Sequence, residues 1–277
     1  MTTAFVLGGG GVLGAVEVGM LRALFERGVV PELVLGTSVG AINGALVAHD
    51  PTEAVIERLT ELWRGASESG REVYGDNALR TVRRAVATGT HIYSSKPLQQ
   101  RLVEEFGDLT IEELPVRFQV CAASIERAAE HWFDSGPVVD AVVASAAVPG
   151  ILPPAKVGDE HFLDGGIVNS IPLARAVQLG ATRVFVLQVG RIDRPLVVPR
   201  RPWEVARVSF EIARRHRFTR ELAELAEHRG DVECHVLPAK GTSARDDTLF
   251  GTRDFSTVED RIELTYEASR DYLAAHL

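Results

Sequence analysis

The chain has 277 residues, 45% of them hydrophobic, a mean hydropathy of +0.04 and a formal net charge of −8 at pH 7. That length suits one α/β domain over 1–277, and the acidic balance argues against nucleic acid as a partner. No apolar run reaches the roughly 18 residues that span a bilayer, and no basic stretch precedes an apolar one at the N-terminus, so no transmembrane segment or secretory leader is expected; a cytoplasmic protein is, with peripheral contact at membrane surfaces left open.

Short apolar runs alternate with helical periodicity, which predicts a three-layer α/β/α fold around a mostly parallel central sheet. Ala4–Leu7 reads as a first strand that runs into Gly8-Gly9-Gly10-Gly11-Val12-Leu13-Gly14. A helix over 15–27 follows, ending at Gly28, then a strand at 33–35 and a helix from Ser38 to His49. Helices are expected at 52–63, 78–87 and 97–106, with the polar, glycine-dotted stretch 65–96 as the candidate lid. Further strands are expected at 116–123, 162–163, 184–189 and 232–237. Between them lie helices at 138–147 and at 172–179, the latter with Pro172 at its first position and Gly180 beyond its end. Ile192–Pro202, with three prolines, is the nearest thing to a linker, and Ser256-Thr257-Val258-Glu259 reads as a capping box opening a last helix. Cys121 and Cys234 lie in strand-like runs and read as reduced core thiols.

Three elements carry chemistry. Consecutive glycines between a strand and a helix let N–H groups converge on one spot, where a helix N-terminus adds positive potential; charge developing on a tetrahedral intermediate is stabilised there. Gly9-x-Gly11-x-x-Gly14 also matches the dinucleotide fingerprint, but that site wants an acid at the end of the second strand. Here the second strand ends Val34-Leu35-Gly36-Thr37-Ser38, without one. Gly36-Thr37-Ser38-Val39-Gly40 has the form of a nucleophile elbow, with Ser38 on a sharp strand-to-helix turn. It comes too early for an ordinary α/β-hydrolase, whose order is Ser, Asp, His. Asp164-Gly165-Gly166 ends a short strand and offers a carboxylate as base.

The glycine loop, Gly36-Thr37-Ser38-Val39-Gly40-Ala41, Ala144-Ser145-Ala146-Ala147-Val148-Pro149-Gly150, and Asp164-Gly165-Gly166 with Asn169-Ser170-Ile171-Pro172 follow one another in order. In these blocks the chain resembles the bacterial patatin-like phospholipases. The resemblance covers about residues 4–190, a catalytic core, with 191–277 as a helical and strand segment packed on it. It implies Ser38 as nucleophile, Asp164 as general base in a dyad without histidine, and Gly9, Gly10 and Gly11 as oxyanion donors. Gly14, Gly36, Gly40, Gly165 and Gly166 are the motif glycines. It implies hydrolysis of a lipid acyl ester by ping-pong acyl transfer through an acyl-serine. The family's basic residue before the last glycine of the loop is Leu13 here.

No His, Cys and Asp cluster has ligand spacing, so no metal and no organic cofactor is expected. Strand alternation turns His161 away from the face of Asp164. The nine arginines between Arg191 and Arg220 fit a solvated helix face, since Glu residues interleave at i,i+4 spacing; docking on anionic lipid is the competing reading. The alternative functions are a non-catalytic lipid- or acyl-binding protein on the same fold, and a nucleotide-binding oxidoreductase on the glycine loop.

Overall fold

The computed structural model describes residues 1–74, 90–91, 93–189, 192, 195–228, 230–240 and 258–277. β1 (Thr3–Leu7) is buried along its whole length. It pairs in parallel with β2 (Leu33–Thr37) on one side and with a strand at Arg183–Leu187 on the other. The remaining strands are β3 (Arg117–Ser124), β4 (Ala129–Phe133), β5 (Ala155–Val157) and β6 (Glu160–Asp164), so that Arg183–Leu187 is β7, and Glu233–Val236 is β8. They form one sheet of order β5-β6-β3-β2-β1-β7-β8, with β4 paired to β3. β3, β2, β1, β7 and β8 run parallel; β4, β5 and β6 add the antiparallel pairs.

Successive side chains of β1 serve two cores, as a sheet covered on both faces requires. Phe5 and Leu7 pack with α1 (Ala15–Glu26), α2 (Val39–His49), α3 (Ala54–Tyr74), α4 (Lys96–Phe106), α5 (Val138–Ser145) and a C-terminal helix at Val258–His276. Ala4 and Val6 pack on the opposite face, with Leu173 and Ala176 of a helix at Leu173–Gln178 and with Phe218 and Leu225 of the long helix Pro202–His228. A short helical turn, α6 (Gly166–Asn169), precedes these. In chain order Leu173–Gln178 is therefore α7, Pro202–His228 α8 and Val258–His276 α9. Three layers result.

The differences from the sequence reading have local causes. β4 is an edge strand, Ala-Glu-His-Trp-Phe, that runs from exposed to buried along its length, without an apolar run to announce it. α3 continues past Trp63 to Tyr74, into the stretch expected to form a lid. Pro202 closes the proline-rich stretch and opens α8, whose 27 residues absorb most of the arginines. The helix expected at 78–87, and Ser256 and Thr257 of the capping box, lie outside the described residues.

α1 and α9 cross at Gly19, where a Cβ would stand 2.3 Å from the Ile262 carbonyl oxygen and 2.8 Å from the Tyr266 nitrogen. The obstacle is backbone and cannot swing aside. Gly19→Ala is therefore expected to lower the urea midpoint, because overpacking costs about 1–3 kcal/mol while helix propensity returns at most ~1 kcal/mol. An unchanged or higher midpoint would show that this crossing is not tight.

Candidate active site

The site forms where two strands end. β4 shares Val120 and Cys121 of β3 with β2, and Ala122, Ala123 and Ser124 with β6. A strand has two edges, so β2 and β6 must share the edge that β4 leaves. On it they point at each other from opposite directions: Thr37 is level with Cys121, and Asp164 with Ala122. The next residue of β2 is Ser38, and its Oγ donates to Asp164 Oδ2 at 2.5 Å. Both residues are buried, at 6% and 3% exposure.

Close backbone approach makes this junction possible. A Cβ on Gly165 would lie 2.1 Å from the Cys121 carbonyl oxygen, so only glycine lets the chain cross β3 there. At the elbow, Gly36 lies against the Gly40 carbonyl and Ala41 Cα, and Gly40 against the carbonyls of Leu7 and Gly8. α2 is thereby pressed onto the end of β1. Ser38 itself has φ 56° and ψ −122°, left-handed backbone that a side chain adopts at a cost of about 1–3 kcal/mol. Its N–H donates to Ser145 Oγ at 2.8 Å, and Ser145 Oγ donates to the Cys121 carbonyl at 2.6 Å. The Ser145 and Ala147 carbonyls accept from the amides of Gly165 and Asp164. The last turn of α5 and the residues after it thus hold both partners. Ser145 lies in the Ala144–Gly150 block, but no sequence signal points to this role.

Burial pushes the Asp164 carboxyl up to about 6, against the opposing effect of the hydrogen bonds from Ser38 and from the Gly166 amide, the latter 2.7 Å from Oδ1. Nothing along the chain marks it as more than an ordinary carboxylate near 4.

The glycine loop is divided in its use. Gly8 N–H donates to Leu187 O and Gly9 N–H to Ser170 O, each at 2.9 Å. The expectation of Gly9 as an oxyanion donor is therefore corrected, because its N–H is already engaged. Gly9 contributes space instead: a Cβ there would be 3.3 Å from Ser38 Cβ and 3.1 Å from Ser170 Oγ. The amides of Gly10 and Gly11 lie at the start of the 3-10 turn Gly11–Gly14, where N–H groups have no partner within the turn. Ser170 Oγ, buried beside Gly9, has no hydrogen-bond partner among the described residues. Leu13 is fully buried and faces the core. Beneath the loop, Asn43 Nδ2 donates to the Gly14 carbonyl and to Glu17 Oε2, and Trp63 donates to Asn43 Oδ1. Burial holds Glu17 well above the usual carboxylate range.

His161 points away, as alternation predicts; its Nδ1 lies 2.8 Å from Glu126 Oε1. α8 covers the other side. Phe210 Cζ lies 2.9 Å from where a Cβ on Gly166 would be, Arg214 Nη1 donates to the Gly9 carbonyl, and Arg217 Nη1 donates to the Val168 carbonyl. The two arginines belong to a stretch whose arginines the sequence assigns to a solvated face.

Residues 5–177 match the family described as "Patatin-like phospholipase". The chain is 35% identical over 192 residues to "Patatin-like phospholipase domain-containing protein ZK370.4" of Caenorhabditis elegans, covering 68% of this chain and 14% of that protein. It is 31% identical over 192 residues to "Lysophospholipase nte1" of Aspergillus terreus, covering 69% of this chain and 12% of that protein. The chain thus spans less than a sixth of the length of these relatives. They are animal and fungal, and lend no support to the bacterial qualifier of the resemblance. Among solved structures, VipD from Legionella pneumophila aligns over 99% of this chain and 67% of its own, with a TM-score of 0.47 and 14% identity.

The raised carboxyl makes a stability prediction. Asp164 binds its proton more tightly folded than unfolded, where a carboxyl titrates near 3.9. Ionising it therefore costs folding free energy above about pH 6; the cost shrinks as pH falls toward 4 and is absent below. Asp164→Asn is expected to raise stability by about 1–3 kcal/mol at pH 8 and by little at pH 4, measured by urea unfolding. A gain that is equal at both pH values would refute the burial argument.

Proposed function

The chain belongs to the patatin-like phospholipase family, and we propose that it hydrolyses carboxylic acyl esters of lipids through an acyl-serine at Ser38, with Asp164 as the base. One observation carries the reading: a strained, buried serine hydroxyl donates at 2.5 Å to a carboxylate made more basic by its own burial. In the first half-reaction Asp164 Oδ2 takes the Ser38 proton as Oγ attacks the ester carbonyl carbon. The electron pair moves to the carbonyl oxygen, which meets the amides of Gly10 and Gly11 and the N-terminal end of α2. The tetrahedral adduct collapses, the carbon–oxygen bond to the leaving alcohol breaks, and Asp164 returns the proton to that oxygen. Water then repeats the sequence on the acyl-serine and releases the carboxylic acid.

The raised carboxyl narrows the gap between base and hydroxyl, and a shift from about 4 to 6 is worth about 3 kcal/mol of proton affinity. The oxyanion donors and the fixed geometry supply the larger share. Similarity to proteins named as phospholipase and lysophospholipase supports a lipid acyl ester as substrate. We further propose that 1–277 acts as one domain, with about 4–190 as the catalytic core and 191–277 packed on it. It works in the cytoplasm, touching lipid surfaces peripherally. Among the described residues no helix is long and apolar enough to cross a membrane.

The test is a panel of nitrophenyl esters of graded chain length together with phospholipids and lysophospholipids, with fluorophosphonate labelling. Ser38→Ala is expected to lose both hydrolysis and labelling while keeping its fold, and Asp164→Asn to lose about 10²–10⁴-fold in rate. kcat/KM should fall as pH drops through about 6, because the base must be ionised. That inflection overlaps the histidine range, so His161→Ala is the control, and it should retain full activity. Hydrolysis surviving in pure Ser38→Ala protein would overturn Ser38 as the nucleophile, and a folded parent that neither turns over nor labels would overturn the assignment in favour of a non-catalytic acyl-binding protein.

A further inference from the structure

We propose that Arg214 is a positioning residue for the oxyanion donor: it grips the Gly9 carbonyl and so fixes the direction of the Gly10 N–H. This rests on the acyl-transfer reading above and assigns a residue outside the 5–177 family match.

Gly9 C=O and Gly10 N–H belong to one trans peptide unit and point in opposite directions. A donor that holds the carbonyl end aims the amide end away from itself. Arg214 Nη1 is that donor, at 3.3 Å. Glycine on both sides gives this unit unusual freedom to rotate. The bonds before it, from the amides of Gly8 and Gly9, anchor the preceding peptides. The next bond, Leu13 N–H to Gly10 O at 3.4 Å, anchors the following one. Arg214 holds the peptide between them.

The guanidinium is buried, with its side chain 2% exposed, and Nη2 donates to Glu211 Oε2 at 2.9 Å. Its Nε has no partner among the described residues. A buried N–H left unsatisfied costs about 1–3 kcal/mol, and a buried ion pair is no reliable source of stability. A helix face with purely structural duties has no need of either. The charge also polarises the peptide it grips, making Gly10 N–H a stronger donor where water is excluded.

The experiment uses the full chain with Arg214→Lys and the double variant Arg214→Met/Glu211→Gln, which removes the Arg214–Glu211 pair, leaves no lone buried carboxylate and keeps an amide oxygen at 211 for Arg215, whose Nε also meets Glu211 Oε2. Turnover is read with hydrogen–deuterium exchange, and with the affinity of a trifluoromethyl ketone that forms an oxyanion adduct with Ser38. The double variant is expected to lose about 10²-fold in kcat with KM little changed, and to lose ketone affinity in proportion. Exchange should rise in the peptide spanning 8–14, and not in β1 or α2. Arg214→Lys should recover most of each. Unchanged kcat with unchanged exchange in 8–14 would overturn the proposal, and so would a loss shared equally by kcat and KM with exchange rising across the core. Should the double variant not fold, Arg214→Gln is read by the same measures. If the parent hydrolyses no ester, the acyl-transfer reading fails, and exchange in 8–14 alone decides whether Arg214 holds the loop.

Discussion

Everything at the candidate site depends on two strands meeting head to head on one edge of β3. β2 arrives from one direction and β6 from the other, and their registers end on consecutive residues, Cys121 and Ala122. A parallel sheet alone cannot bring two strand ends together in this way, since its neighbours all exit on one side. The antiparallel turn of β6 supplies the second direction, and Gly165 allows the chain to leave across the Cys121 carbonyl. Serine and aspartate are thus brought to 2.5 Å without either riding on a flexible loop.

The same junction sets the chemistry. The position is dry because α2, α5 and α8 close around it, and dryness disfavours an ionised carboxylate. Asp164 is held near 6 by this burial, only partly opposed by the hydrogen bonds it accepts. What reads as a destabilising feature of the fold would make a more capable base for the proposed acyl transfer, a common exchange at functional sites. The left-handed backbone of Ser38 is a second local cost. It is sustained by Ser145, which accepts from the Ser38 amide and is itself tied to β3. Strain of this size persists only where the surroundings over-determine it.

The C-terminal third has a more intimate part than its composition suggests. α9 seals α1 from outside at Gly19, while α8 reaches both walls of the site through Phe210 and Arg214, four residues apart on one helix face. Many charged groups of α8 do follow the solvated pattern, as the Arg220–Glu224 pair shows. Arg214 and Glu211 depart from it because their neighbour is the glycine loop instead of water.

Along the chain alone the architecture near the motifs is legible, and so are the serine and the aspartate that the fold brings into contact. Alternation of apolar runs with helical stretches is a local property, and the glycines that frame Ser38 and Asp164 stand next to them in the chain, so both are visible along it, even though the backbones that require Gly40 and Gly165 come from distant segments. Alternation likewise turned His161 outward, where it lies. Tertiary structure alone decided which loop amides remain available, because Gly9 loses its N–H to Ser170, 161 positions away in the chain numbering. It alone decided the basicity of Asp164, since burial is contributed by elements from distant segments. And it alone picked Arg214 out of nine arginines, because a charged residue on a helix carries no local sign of whether water or a peptide carbonyl will face it.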